Sequence, residues 1–299
     1  MDDARTRLAG GLYADIALRS DDLTVIPGVR FPFDTLMAPQ LPEPRLAVRL
    51  RLRDQVRLKF AAGRYQQAPS TPNLLPGTGD PDLPITGSWQ VSAGLESTIA
   101  NRLELLVDVY GKTLEDPLIH PVDAPARTTS AGRAMGVELV SRYRLLEVIF
   151  LRAWVALARS QVRAADGSWR PADGDQPLIA GLVGSWDIDD VWTLGVRYRY
   201  GSGLPYTPVQ DSLYDAGTDS WLPIAGPLNG ARLPAYQKVD VRLARDIVWD
   251  RWTLNIAGEL WYVPRSSAQL YPTYNFDYSE QGFVIGPTLL PLLSARATF

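Results

Sequence analysis

The chain has 299 residues but no cysteine, a single histidine and no run of 18 apolar residues. The lack of cysteine excludes disulfides, cysteine-based zinc sites and cysteine nucleophiles. The lack of a long apolar run excludes a transmembrane helix, which needs about 20 predominantly apolar residues. A net charge of -3 argues against a general nucleic-acid-binding protein.

The lone histidine, His120, lies near Asp116 and Asp123 in a segment that contains proline. A catalytic histidine needs partners that position it, and the chain has no GxSxG motif. One histidine cannot form a His-rich metal cluster. The Gly-rich stretch 77–80 lacks the Lys-Ser or Lys-Thr of a phosphate-binding loop. We therefore predict that the chain is not an enzyme and has no catalytic residue, no cofactor and no bound metal.

Apolar and polar residues alternate along much of the chain. Between Leu46 and Leu52 every second residue is Leu or Val, and arginines stand at 49 and 51. Alternation of this kind gives a strand one apolar and one charged face. A soluble sandwich alternates too, but the segments here reach about ten residues, the length that a tilted strand needs to cross a bilayer. We predict one β-barrel domain over residues 1–299.

The connections between the predicted strands alternate in length. Short polar turns are expected at 20–22, 53–55, 100–102, 144–146, 187–191 and 248–251. Long segments rich in Pro, Gly and Asp are expected at about 34–44, 67–86, 114–130, 162–177, 202–234 and 263–284. Outer-membrane barrels have this arrangement, with short periplasmic turns and long extracellular loops. The pattern predicts an all-β fold, an antiparallel transmembrane β-barrel of about 12–14 strands in the bacterial outer membrane.

The strand count is near thirteen, whereas single-chain bacterial barrels have even counts. Either one strand is miscounted, or the chain is part of a larger barrel. In both cases a register slip of one residue would place arginines in lipid, which costs roughly 2–4 kcal/mol per residue at the centre of the bilayer.

The charged face is therefore expected to line the lumen. The residues predicted to lie there are Arg49, Arg51, Arg57, Lys59, Glu104, Asp108, Glu138, Arg197, Arg199, Asp240 and Arg242. Aromatic residues near the short turns are predicted to form a periplasmic belt, where amphipathic rings are most stable. These are Tyr143, Trp186, Trp192, Trp249 and Trp252. The alternative for them is the core of a sandwich.

The most basic stretch is 45–64. Pairing across its turn places Arg49 opposite Lys59 and Arg51 opposite Arg57, and like charges that face each other destabilise a sheet. Acids from other strands compensate this ladder, or the ladder attracts anionic ligands into the lumen. The first reading is favoured.

Two long loops, at 211–221 and 271–278, are rich in Asp, Asn, Tyr and Trp. Such groups on outward loops suit the binding of a small ligand, whose identity the residues do not reveal. The alternative is that the loops pack on each other and cap the mouth of the barrel.

Several short stretches of the chain follow one another in an order that is typical of a known family. They are 87–96, 132–139, 200–208, 232–242 and the terminal Phe299. Together they resemble the C-terminal part of the barrel of TonB-dependent outer-membrane receptors. The resemblance implies ligand uptake across the outer membrane, a lipid bilayer as surroundings, and barrel-assembly machinery that recognises Phe299.

The family is known for a barrel of about twenty-two strands filled by an N-terminal plug with a TonB-contacting box. The chain shows no plug-length segment and too few strands for this pattern, and its start, Met1-Asp2-Asp3, is not that of a signal peptide. The expectation is thus a barrel without a plug domain. The alternative function is a passive pore or structural barrel, truncated or redesigned, without energised transport.

Overall fold

The structure is a computed structural model that describes residues 6–75, 79–119 and 126–299. His120 and part of the Gly-rich stretch 77–80 lie outside the described residues. The first strands are β1 (Ala9–Asp15), β2 (Leu18–Arg19), β3 (Leu23–Asp34), β4 (Glu43–Arg53), β5 (Val56–Gln67), β6 (Thr86–Ile99), β7 (Leu103–Glu115), β8 (Leu118–Ile119), β9 (Arg127–Thr128), β10 (Ala131–Leu145), β11 (Ile149–Arg163) and β12 (Trp169–Pro171).

The later strands are β13 (Leu178–Asp187), β14 (Trp192–Gly201), β15 (Pro205–Tyr206), β16 (Val209–Asp215), β17 (Ser220–Ala225), β18 (Ala231–Arg232), β19 (Tyr236–Trp249), β20 (Trp252–Tyr262), β21 (Gln269–Tyr274), β22 (Gln281–Ile285) and β23 (Leu289–Thr298). Two short helices complete the described elements, α1 (Thr71–Leu74) and a 3-10 turn at Arg265–Ser267. No helix in these ranges is long and apolar enough to cross a membrane.

Within the described residues, neighbouring strands bond in the order β1-β3-β4-β5-β6-β7-β10-β11-β13-β14-β19-β20-β23. Thirteen strands lie on this path, so the predicted count of about 12–14 is confirmed. The described registers, from β1–β3 to β20–β23, are antiparallel.

The contacts divide the chain into two units. Unit 1 holds 1–97, 107–137 and 159–175, and unit 2 holds 98–106, 138–158 and 176–299. The strands β6, β7, β10 and β11 contribute residues to both units. The prediction of a single domain stays a prediction.

The register in unit 1 separates apolar from charged residues. One row across β3, β4, β5 and β6 consists of Leu23, Leu50, Leu58 and Leu95. The adjacent row consists of Thr24, Arg49, Lys59 and Gly94. Residues directly opposite share a face, and successive residues of a strand lie on opposite faces. The predicted alternation is confirmed for these strands, including the placement of Arg49 opposite Lys59 and of Arg51 opposite Arg57.

Unit 2 shows the same separation. An apolar row consists of Leu151, Gly184, Val196, Val241, Leu260 and Pro291. The adjacent row consists of Arg152, Val183, Arg197, Asp240, Trp261 and Leu290. In β23, Ala297 stands opposite Leu254 and Arg296 opposite Asn255, so the last strand continues the same alternation. Which face meets lipid stays a prediction.

One short turn differs from its predicted position. β10 extends to Leu145, and the turn is made by Leu146 and Glu147, whose φ angles are 52° and 61°. The predicted turn at 144–146 begins two residues too early. Tight hairpin turns with positive φ usually carry Gly or Asn, and neither residue is present here to mark the position.

The long connections contain strands that the sequence pattern did not predict. Four two-stranded sheets form there, β8–β9, β15–β18, β16–β17 and β21–β22. These strands have two to seven residues, and their alternation is too short to stand out from the surrounding Pro, Gly and Asp.

Candidate functional site

The basic ladder of unit 1 is neutralised by acids from other segments. Lys59 Nζ lies 3.0 Å from a carboxylate oxygen of Glu96 and 3.7 Å from one of Asp108. Arg49 lies 3.7 Å from Glu96, and Arg51 lies 2.9 Å from Asp22. Glu96 also stands directly opposite Arg57. These contacts support the reading in which acids compensate the ladder.

Gly94 makes room for one of these acids. A Cβ at this position would meet Oδ1 of Asp108 at 2.0 Å, so the carboxylate occupies the space that a side chain would fill. Arg49, Lys59 and Asp108 line a cavity of about 500 Å³ on the charged face of unit 1. Two of the cations that line this cavity, Arg49 and Lys59, are thus paired with acids.

In unit 2, one acid serves two cations. Arg197 Nη2 lies 2.5 Å from Oδ2 of Asp240, and Lys238 Nζ lies 3.0 Å from Oδ1. Asp240 is 4 % exposed and Lys238 5 % exposed. The Lys238 ammonium also lies 3.3 Å from the ring centroid of Trp261, where the π face stabilises a cation. Asp240 thus joins a buried lysine and a partly exposed arginine, and these two cations outnumber their acid.

The row that contains Lys238 also contains an aromatic ring and a second cation. Trp154, Gly181, Arg199 and Lys238 stand opposite one another on β11, β13, β14 and β19. A Cβ on Gly181 would meet ring atoms of Trp154 at 2.0 Å, so the indole lies across the glycine. Nε of Arg199 is buried, with no hydrogen-bond partner among the described residues.

We call Arg152, Trp154, Arg197 and Arg199 the basic–aromatic cluster. With Glu138 they line a cavity of about 460 Å³. The Arg152 guanidinium lies 5.9 Å from the centroid of the Trp154 ring. Three arginines and one glutamate therefore surround the cavity, and the cluster offers guanidinium groups suited to carboxylate or phosphate.

Two further predicted lumen residues of unit 2 form polar contacts of their own. Glu104 accepts a bond of 3.2 Å from Arg142, and Arg242 donates one of 3.3 Å to Asn255. Sequence reasoning did not single out Arg152, Trp154, Lys238 or Trp261. The alternating phase of each strand indicates their face, but their proximity depends on registers between strands far apart in sequence.

Several belt residues do meet near the short turns. Trp249 and Trp252 stack with centroids 4.1 Å apart, and Phe299 stacks on Trp252 at 6.0 Å. Trp192 lies beneath the guanidinium of Arg245 at 5.3 Å. Trp186 is exposed, opposite Leu194. The location of these rings at a membrane surface stays a prediction, as it does for Tyr143.

The two aromatic loops of unit 2 pack against each other. The Ser212 hydroxyl donates to the Asp277 carbonyl at 2.6 Å, and the Val209 amide donates to the Tyr274 hydroxyl at 3.0 Å. The Tyr206 ring contacts Phe283 edge-on, with centroids 6.4 Å apart. These contacts agree with the alternative in which the loops pack on each other. Phe276, which is 81 % exposed, remains accessible beside them.

We expect acid to loosen these loops. Hydrogen bonds from the side chain and the amide of Ser279 lower the pKa of Asp277, and bonds from the Gly217 amide and the Thr218 hydroxyl lower the pKa of Asp215. A lowered folded-state pKa gives stability that is present above the unfolded pKa of about 3.9 and is lost as the pH falls through the folded value.

Hydrogen-exchange protection factors for 275–280, corrected for intrinsic rates, should therefore be constant near neutrality and fall below about pH 4. The Asp277→Asn variant should lack this acid-dependent fall. Protection that does not change in acid would contradict the assignment.

Comparison with known structures shows a shared fold over nearly the whole chain. The ferric-catecholate import receptor Fiu from E. coli K12 matches with a TM-score of 0.62 and 12% identity, covering 97% of this chain and 44% of its own. The ferric citrate transporter FecA matches with a TM-score of 0.67 and 15% identity, covering 98% of this chain and 45% of its own. The iron transporter FrpB from Neisseria meningitidis matches with a TM-score of 0.64 and 11% identity, covering 98% and 45%.

The chain thus spans less than half the length of these three proteins. No curated protein sequence matches it. The family model described as "TonB dependent receptor-like, beta-barrel" matches residues 1–259, which is most of the chain. Together with the antiparallel sheet and its short turns and long loops, this match shows that the chain belongs to the family of TonB-dependent receptor-like β-barrels.

Proposed function

We propose that this chain forms barrel wall of an outer-membrane uptake protein and that its charged face binds an anionic ligand at the basic–aromatic cluster. Proteins of this family are bacterial outer-membrane proteins. The observation that carries the proposal is the excess of positive charge at the cluster. Asp240 is shared by two cations, and Arg199 has a buried Nε without a partner in the described residues.

The cluster also suggests the chemistry of the ligand. Guanidinium groups bind carboxylate and phosphate through paired hydrogen bonds. The Trp154 indole, which lies across Gly181, adds an apolar surface for a planar group. Two of the similar structures are described as a ferric citrate transporter and a ferric-catecholate import receptor. Both names refer to ligands with acidic oxygen groups, which fits a basic site.

The reach of the side chains supports a single shared ligand. Arg152 and Arg199 stand on rows adjacent along the strand, and two strand spacings separate β11 from β14. Strands lie about 4.8 Å apart and same-face residues about 7 Å apart. Their backbones are therefore roughly 10–12 Å apart, a span that two arginine side chains cover from both ends of a small ligand.

The test is calorimetric titration of the detergent-folded chain with phenyl phosphate and with inorganic phosphate. We expect phenyl phosphate to bind more tightly, because only it has a ring for Trp154. Arg199→Gln should weaken both anions about tenfold, the effect of losing a charge-assisted hydrogen bond. Gly181→Ala should weaken phenyl phosphate selectively, since the new Cβ displaces the indole.

Arg142→Gln is the matched control, because Arg142 lies in the same unit but is paired with Glu104. Its affinity for both anions should equal that of the unmodified chain. Equal weakening by Arg142→Gln and Arg199→Gln would contradict a specific site. Steady conductance in planar bilayers without anion binding would favour the alternative, a passive pore.

A further inference from the structure

Arg245, in unit 2, is a cation on the apolar face of the sheet. Arg245 belongs to the series Val239, Val241, Leu243, Arg245 and Ile247, whose side chains share the apolar face of β19. Its opposite neighbours are Trp192 on β14 and Ile256 on β20. Among the paired positions described on this face from β11 and β13 to β23, Arg245 is the only charged residue.

Among the described residues, the Arg245 side chain forms no hydrogen bond or ion pair. Its guanidinium lies 5.3 Å from the centroid of the Trp192 ring. The side chain is exposed. By contrast Arg64, which shares the apolar face of unit 1 with Trp89, lies 3.4 Å from Glu115. An arginine facing lipid without a partner is costly, and less so near the membrane surface.

The position of Arg245 is at the end of the sheet with the short turns. Its opposite residue, Trp192, is the first residue of β14 and follows the 188–191 turn. The amide next to Arg245, that of Asp246, donates to the Val191 carbonyl at 2.8 Å. At such a level a long arginine side chain extends toward the headgroup region while its stem stays in lipid.

We propose that Arg245 and Trp192 bind the phosphate of a zwitterionic phospholipid, whose ammonium group lies at Asp190. This inference rests on the proposed membrane orientation of the apolar face. The charges are complementary, because guanidinium pairs with phosphate and a carboxylate pairs with a primary ammonium. Asp190 is exposed and adjoins Val191, whose carbonyl bonds to β19. Trp192 adds an indole of the kind enriched at membrane surfaces.

The two aspartates of the 188–191 turn determine which lipid headgroup fits. Asp189 accepts hydrogen bonds from the amides of Val191 and Trp192, so its carboxylate is used within the turn. Asp190, an exposed residue of the same turn, adds a negative charge that repels a headgroup of net negative charge. Phosphatidylethanolamine supplies phosphate and a hydrogen-bonding ammonium, whereas phosphatidylglycerol has no ammonium and phosphatidylcholine has no N–H donor.

The experiment counts lipids retained by the detergent-folded chain in native mass spectrometry. The unmodified chain should retain phosphatidylethanolamine in preference to phosphatidylglycerol and phosphatidylcholine. Arg245→Gln should weaken phosphatidylethanolamine binding about tenfold, and Asp190→Asn should abolish the preference over phosphatidylglycerol. Arg242→Gln, on the opposite face of the same strand, should change neither.

Three results would overturn the proposal. The first is that Arg245→Gln retains phosphatidylethanolamine at the level of the unmodified chain. The second is that the chain shows no preference among the three lipids. The third is that millimolar inorganic phosphate displaces the lipid, which would indicate a plain phosphate site.

A second measurement distinguishes failure of the headgroup site from failure of the proposed membrane orientation. Lipids with brominated tails should quench Trp192 fluorescence, obtained as the difference from Trp192→Phe. Absent quenching would refute the proposed orientation itself, whereas quenching without lipid preference would refute only the headgroup site.

Discussion

Asp240→Asn should lower the free energy of unfolding by about 3 kcal/mol, because it leaves the buried Lys238 ammonium, and also the partly exposed Arg197, without their shared acid. Arg197 Nη2 lies 2.5 Å from one carboxylate oxygen of Asp240, and Lys238 Nζ lies 3.0 Å from the other. Asp240 and Lys238 are almost completely buried. The measurement is denaturant unfolding of the detergent-folded chain, monitored by tryptophan fluorescence.

Asp22→Asn is the control for this change. Asp22 also pairs with an arginine, Arg51, at 2.9 Å, but its side chain is 63% exposed. Exposed pairs contribute little to stability, so this variant should unfold at nearly the same denaturant concentration as the unmodified chain. If both variants lost the same small stability, the Asp240–Lys238 pair would be hydrated rather than buried, and our description of it would be wrong.

A charge placed in the middle of the apolar face should be strongly destabilising. Val241→Arg is expected to cost about 2–4 kcal/mol in lipid vesicles, the range measured for arginine at the bilayer midplane. Val241 stands between Val196 and Leu260, with apolar neighbours on both sides. The free energy of unfolding in vesicles provides the measurement.

Two matched variants on β23 test depth and face separately. Ala297→Arg lies on the same apolar face near the short-turn end of the strand and should cost only about 0–1 kcal/mol. Ser294→Arg lies on the charged face, opposite Ala257, and should also be tolerated. If Ser294→Arg were more destabilising than Val241→Arg, the assignment of the two faces would be inverted.

The strand pattern was predictable because its cause is local. Successive residues of a strand point to opposite faces whatever the rest of the chain does. The sequence between Leu46 and Leu52 therefore predicts the faces that the register later confirms. The same phase in β19 already places Arg245 with Val241 and Leu243, so the signal for that site was present in the sequence.

The sites were harder to predict because they depend on pairing between distant strands. The Lys59–Glu96 and Lys59–Asp108 contacts bring together residues of β5, β6 and β7. The packing of the Trp154 ring against Gly181 depends on the register that places this glycine of β13 opposite Trp154. The turn at Leu146 and Glu147 was misplaced because neither residue has the usual preference for positive φ.

Spin-label scanning along β23 tests most directly the claim that the apolar face meets lipid and the charged face meets water, because every side chain of this strand is exposed. Single labels at 292–297 are probed in vesicles for collision with lipid-soluble oxygen and with a water-soluble nickel chelate. We predict oxygen maxima at Leu293, Ala295 and Ala297 and nickel maxima at Leu292, Ser294 and Arg296. The inverse phase, or the absence of a period of two, would contradict the account.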